Sequence, residues 1–169
     1  MNSTPSFESL AAQAVPLGER LRDAKQTIAV AESSTAGLLS AALLSVAGAS
    51  AYYRGGSVVY TLEARRALLG LRGSDVAGLE PLSEPMVQRF AEVAKAQLDS
   101  TWALAELGAA GPTGARYGHP AGSCVLAVVG PQVLTTELRT NSNDRLGNML
   151  RFSAAALELL AAALAADAA

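Results

Sequence analysis

Reactive side chains are scarce in this chain: 169 residues carry one cysteine, Cys124, one histidine, His119, and one tryptophan. A lone cysteine cannot close an intramolecular disulfide. One His and one Cys, with no His-Glu-x-x-His or paired-aspartate spacing, leave no metal constellation. The expectations are a reducing cytoplasm, no metal and no cofactor. Lysine is nearly absent, only Lys25 and Lys95, and the arginines are scattered between Arg20 and Arg151 without forming a stripe. With a formal net charge of −2, that argues against a nucleic-acid footprint. Aromatics make up 5 % of the chain and charged residues 17 %. The hydrophobic half is weighted to alanine, about a fifth of all residues, so the core is built of small side chains and its helices can approach closely.

No positive charge precedes Arg20 and no apolar run opens the sequence, so MNSTPSFESL does not read as a secretory signal. The uncharged stretch from Ser33 to Tyr53 approaches the length of a membrane span, but its many hydroxyls and its Gly37 and Gly48 speak against a lipid-facing helix. No membrane partner is expected. The length fits a single domain over 1–169, within the usual range of about 100–200 residues.

Hydrophobic periodicity alternates between helical and strand segments, which predicts an α/β fold. Phe7–Ala24 has helical spacing and Thr27–Ala31 reads as a strand. Thr35–Val46 is helical again, closed by Gly48, and Gly56–Tyr60 is a brief strand. Leu62–Leu69 is a short helix ended by Gly70, and Arg72–Pro81 is a polar connection. Ser83, followed by Glu84 and Pro85, caps a helix that runs to about Asp99. Thr101–Leu107, Ser123–Val129 and Val133–Arg139 are strands, and Asp144–Ala166 is a long closing helix.

Three segments could carry chemistry. At Ala31–Gly37 a strand end runs into a helix start, where free backbone N–H groups can hold an anion, or where Ser33, Ser34 or Thr35 simply caps the helix. The stretch from Gly108 to Gly122 has five glycines, two prolines and the single histidine. It is long enough to be a lid or ligand clamp rather than an ordinary turn. Between Gly48 and Arg65, glycines and tyrosines crowd together, which allows close backbone approach and phenolic hydrogen bonds.

In this order the three segments resemble the CinA C-terminal domain family, the nicotinamide mononucleotide amidohydrolases or deamidases. AESSTAGLLSAALLSVAGASAYYRGGSVVYTLEARRALLG resembles the family's AESCTGGLL, GSSAYF, GG and YSNEAK elements. LGAAGPTG with HPAGSCVLAV resembles its GIAGP and KPVGTV segment, and Asn143-Asp144-Arg145 its GDR. The similarity spans about residues 6–165. It implies a three-layer α/β/α sandwich with a mixed, mostly parallel central sheet, and cleavage of the carboxamide of nicotinamide mononucleotide to nicotinate mononucleotide and ammonia.

Carried over by position, the resemblance implies a serine-based site at Ser33 and Ser50, with Tyr60 on the tyrosine of YSNEAK. Gly108, Gly111 and Pro112 fall on the glycine loop, and Asp144 and Arg145 on GDR. Ser34, Thr35, Gly37, Gly55 and Gly56 complete the substrate-binding set. The chain departs from the pattern at Arg65 for lysine, Leu107 for threonine or serine, Leu62 for asparagine and His119 for lysine. Arginine stays protonated and cannot serve as base, which leaves Tyr60, His119 and Glu63 as candidates. His119 is favoured, because an ordinary imidazole titrates near neutral pH. Two readings follow: an amidohydrolase holding the substrate phosphate at the Thr35 helix or at Arg145, and a silent domain that binds a nucleotide or protein partner. Small-residue faces on 35–46 and 144–166 offer a surface for a second copy.

Overall fold

In the computed structural model, residues 4–168 are described. The helices are α1 (Phe7–Asp23), α2 (Leu38–Leu44), α3 (Leu62–Leu69), α4 (Glu84–Gln97) and α5 (Arg145–Asp167). The strands are β1 (Ile28–Glu32), β2 (Tyr53–Val58), β3 (Trp102–Ala109), β4 (Ser123–Val129) and β5 (Val133–Arg139). They form one sheet in the order β2-β1-β3-β4-β5. The β2-β1-β3 side is parallel, and β4 and β5 add on antiparallel. The sheet is therefore mixed, with α1, α2 and α5 on one face and α3 and α4 on the other.

Strands β3 and β4 are buried on both faces, which is why they read as continuous apolar runs rather than as alternation. Side chains of β3 alternate between two cores. Trp102 and Leu104 pack toward α1, α2 and α5, while Ala103, Ala105 and Leu107 pack toward α4. Helix α5 is long and apolar enough to pass for a membrane span by composition. Its buried stripe, Phe152, Ala156, Leu157, Leu160 and Leu164, instead joins the core beneath the sheet.

Strands β1 and β3 are shifted by one or two residues from the sequence reading, β3 running on past Leu107 to Ala109, and α2 and β2 differ more. Helix α2 begins at Leu38, not Thr35, because Ala36 (φ 55°) and Gly37 (φ 97°) turn the backbone into the left-handed region first. It also ends at Leu44, so Gly48 opens a separate 3-10 turn, Ala49–Ala51. Strand β2 runs from Tyr53 to Val58 rather than from Gly56 to Tyr60. Its ladder with β1 recruits Tyr53 and Gly55 ahead of Gly56, and the weak strand propensity of Gly55 had hidden that start. The chain from Ser33 to Tyr53 is thus a turn, a short helix and a 3-10 turn, and no continuous span.

Candidate active site

In open α/β sheets ligands collect beyond the carboxyl ends of the parallel strands, where the strand order reverses. Here that point lies between β1 and β3, which leave the sheet after Glu32 and Ala109. The chain after β2 joins them, since Val59 N–H donates to the Glu32 carbonyl at 2.7 Å and Tyr60 follows with its ring 59 % exposed. From the opposite side comes the first turn of α5, capped by the Asp144 carboxylate, which accepts from Gly147 N–H at 3.1 Å.

Arg145 ties these elements together. One guanidinium nitrogen donates to the Gly111 carbonyl at 2.6 Å and the other to Tyr60 Oη at 3.2 Å, while its Cζ lies 6.0 Å from the Tyr60 ring centre. Gly111 has to be glycine: its φ is +104°, and a Cβ there would lie 3.2 Å from the Asn143 carbonyl oxygen. Asn148 fixes the same turn, donating to the Ala110 and Ser142 carbonyls at 2.8 and 2.7 Å. Ser33 is half-buried, and its hydroxyl has no partner among the described residues. Ser33, Tyr60, Gly108, Gly111 and Arg145 therefore gather at one end of the sheet, with the exposed Pro112 beside them.

Beside these residues lie two fully buried carboxylates that sequence pattern alone assigns no role, Glu32 and Glu106. Glu32 accepts from the N–H groups of Gly37, Leu39 and Ser40 at 2.9, 3.1 and 2.8 Å, and from the Ser40 hydroxyl at 2.6 Å. Glu106 accepts from the N–H groups of Ser33 and Thr35, both at 3.0 Å, and makes a very short contact with the Ser34 hydroxyl. The donors that the sequence left free for an anion are thus filled by the chain's own carboxylates. Ser34 and Thr35 are sealed in this network at 1 % and 0 % exposure, and Gly37 contributes only its N–H to Glu32.

Thr35 Oγ1 stands 2.8 Å from Glu32 Oε2 and 3.0 Å from Glu106 Oε2. It has one proton for two carboxylate oxygens. The second contact is satisfied when Glu106 is the neutral acid, the form its burial favours: desolvation raises the Glu106 carboxyl above the ordinary value, against its hydroxyl and backbone donors. Cys124, whose Sγ is 3.9 Å from Glu106 Oε1, is pushed well above the usual thiol range by burial and then by that carboxyl. Gly108 leaves room for this packing, since a Cβ there would lie 2.8 Å from Glu106 Oε1. The one signal in the sequence was a single glutamate inside an otherwise apolar buried strand, Trp102–Ala109.

The remaining candidates lie elsewhere. Ser50 sits in the 3-10 turn that precedes β2, whereas Tyr60 follows its far end, a separation of about 20 Å at about 3.3 Å per strand residue. Gly55 and Gly56 lie mid-strand between them. Arg65 lines a cleft beside α3 with Glu63 and Arg66. Leu107 is buried against the α4 side, at 7 % exposure. His119 lines a small recess with Leu82, Ser123, Cys124, Glu137 and Arg139, which contains neither serine of the site nor Tyr60 or Arg145. Its ring makes an edge contact with Tyr117, centroids 6.2 Å apart.

Together, fold and site define a three-layer α/β/α domain whose topological switch point is flanked by a serine, a tyrosine and an arginine. The chain belongs to the CinA family, whose C-terminal domain model matches residues 10–164. Among curated relatives it is 35 % identical to a CinA-like protein of Trichormus variabilis over 74 % of this chain. It is 38 % identical to one of Prochlorococcus marinus over 73 %. The matched region spans only 30 % and 28 % of those relatives' own lengths. Among solved structures, the competence/damage inducible protein CihA of Agrobacterium tumefaciens superposes with a TM-score of 0.84 at 29 % identity, covering 96 % of this chain and 98 % of that one. A CinA superfamily protein of Klebsiella pneumoniae gives 0.85 at 29 % identity, covering 92 % and 98 %.

Proposed function

We propose that the chain is a cytoplasmic amidohydrolase that deamidates nicotinamide mononucleotide, with the substrate lying across the crevice at Tyr60, Gly111 and Arg145. The observation that carries the reading is the convergence of those three groups beside Ser33. Arg145 is a fork suited to the substrate phosphate. Tyr60 Oη accepts from that arginine, so its own hydroxyl proton remains free to face the carboxamide.

Ser50 is the nucleophile in this reading, and it reaches the crevice from a second copy. Strand β2 is an edge of the sheet, with one ladder still unpaired. A two-fold, antiparallel pairing of two such edges about Gly55 and Gly56 would set Tyr53 opposite the partner's Val58, bringing the turn that holds the partner's Ser50 to the end of β2 from which Tyr60 emerges. Ser50 Oγ then attacks the carboxamide carbon while its proton passes through Tyr60 to the departing ammonia. Of the three base candidates, Tyr60 alone stands in the crevice, and the Arg145 guanidinium stabilises negative charge on its oxygen during transfer. Water hydrolyses the acyl-serine to nicotinate mononucleotide.

Release of ammonia from nicotinamide mononucleotide by the purified protein, lost in Ser50→Ala, supports this reading. Arg65 and the buried Leu107 favour a second one, a binding domain without turnover. It predicts no ammonia, together with thermal stabilisation by the mononucleotide.

A further inference from the structure

Between α3 and the segment that follows it, Gly70–Gly73, lies an open cleft of about 760 Å³, within the range of small-molecule sites. Three of its lining side chains are arginines, Arg65, Arg66 and Arg72, against one carboxylate, Glu63. None of these arginines forms an ion pair among the described residues, where the pairs are Arg22–Asp23 and Arg89–Glu92. The neighbouring Asp75 is engaged by the Arg72 backbone N–H at 2.7 Å. Arg65 Nε is buried and has no hydrogen-bond acceptor. A buried donor without a partner is uncommon in a folded chain, and a water, an ion or a ligand group can satisfy it. Three arginines around one cleft, against a single carboxylate and in a chain whose net charge is −2, create a local positive potential that attracts an anion.

We propose that this cleft is an anion site separate from the crevice at Arg145, and that it takes the phosphate or diphosphate group of a small phosphorylated molecule. The guanidinium fork matches phosphate oxygens bidentately, which a point charge cannot do. Arg65, half-buried, offers its terminal N–H groups rather than the sealed Nε, and the exposed Arg66 and Arg72 close on the outer oxygens. At Gly73 the surface is open, with nothing within 4 Å of where a Cβ would lie, so the ligand's remaining body can extend outward there.

The test is calorimetric titration of the full chain with inorganic pyrophosphate, and separately with ADP, at constant ionic strength. Arg145→Ala should still bind pyrophosphate at this cleft, losing only the share held by the Arg145 crevice. The exposed pair Arg66→Ser/Arg72→Ser should weaken binding at least about tenfold while unfolding at an unchanged temperature. ADP binding tighter than pyrophosphate identifies a nucleotide as the source of the phosphate, and equal or weaker binding identifies the free anion; either one supports the site. Loss of binding in Arg145→Ala with retention in the double variant overturns the proposal, as does the absence of binding in wild type. Ammonia release measured on the same preparations is an independent readout. Its absence, with pyrophosphate bound, removes the deamidase reading and leaves this site standing.

Discussion

Glu106 offers a sharp test of how the crevice is built. Glu106→Ala leaves the Ser34 hydroxyl and the Thr35 N–H, both buried, without an acceptor. At about 1–3 kcal/mol for each buried group left unpaired, the loss is about 2–6 kcal/mol, or a fall in Tm on the order of 10 °C. Glu106→Gln is different, because the amide oxygen can keep both backbone donors while its NH₂ donates to Ser34 Oγ. Its effect is read from pH. The native carboxyl is raised above its ordinary value of 4.5 by desolvation, so between those two values the folded chain holds a proton that the unfolded chain has released. Folding stability from this group is therefore complete below pH 4.5 and declines as pH rises toward the native value, beyond which the deficit is constant. The glutamine variant lacks that decline. Urea midpoints from about pH 4 to about pH 8 should show it gaining on wild type as pH rises. Parallel curves, or a glutamine variant as weak as the alanine one, would refute the proton-sharing account of Glu32, Thr35 and Glu106.

Three further outcomes follow from the same geometry. Glu32→Ala removes the acceptor for the N–H groups of Gly37 and of two α2 residues and for two hydroxyls and should cost about 3–5 kcal/mol in urea unfolding; a loss below about 1 kcal/mol would mean water replaces the carboxylate. Gly111→Ala forces a left-handed residue against the Asn143 carbonyl and should destabilise by about 1–3 kcal/mol, with mononucleotide binding lost as Arg145 loses its anchor. Cys124, buried and with its thiol pushed up, should stay unreacted with a thiol reagent in the native protein and react at once in denaturant; rapid native labelling would contradict the packing around Glu106.

Much of the architecture was legible because each helix carries its own punctuation. Ser83 caps α4 where the sequence suggests, α3 has the bounds read from its spacing, and β4 and β5 have the bounds read from hydropathy. The misread boundaries of α2 and β2 come from tertiary effects. Buried carboxylates from two strands hold Ser33–Gly37 as a turn, and pairing with β1 makes a strand of Tyr53–Val58. The site was legible in its parts but not in its assembly. Residue order along the chain says nothing of the strand length that separates Ser50 from Tyr60, nor of the recess that draws His119 toward β4 and β5. Glu106 escaped notice because its partners, Ser33, Ser34 and Thr35, lie on β1's far end, more than seventy residues away in sequence.

The composite crevice is tested most directly by mixing two inactive variants, Ser50→Ala and Arg145→Ala, after denaturing and refolding them together, and measuring ammonia release from nicotinamide mononucleotide. If the nucleophile comes from one copy and the arginine from the other, mixed dimers contain one intact site, and about a quarter of wild-type activity returns. A mixture as inactive as its two components, with mixed dimers demonstrated and wild type active, would contradict the account.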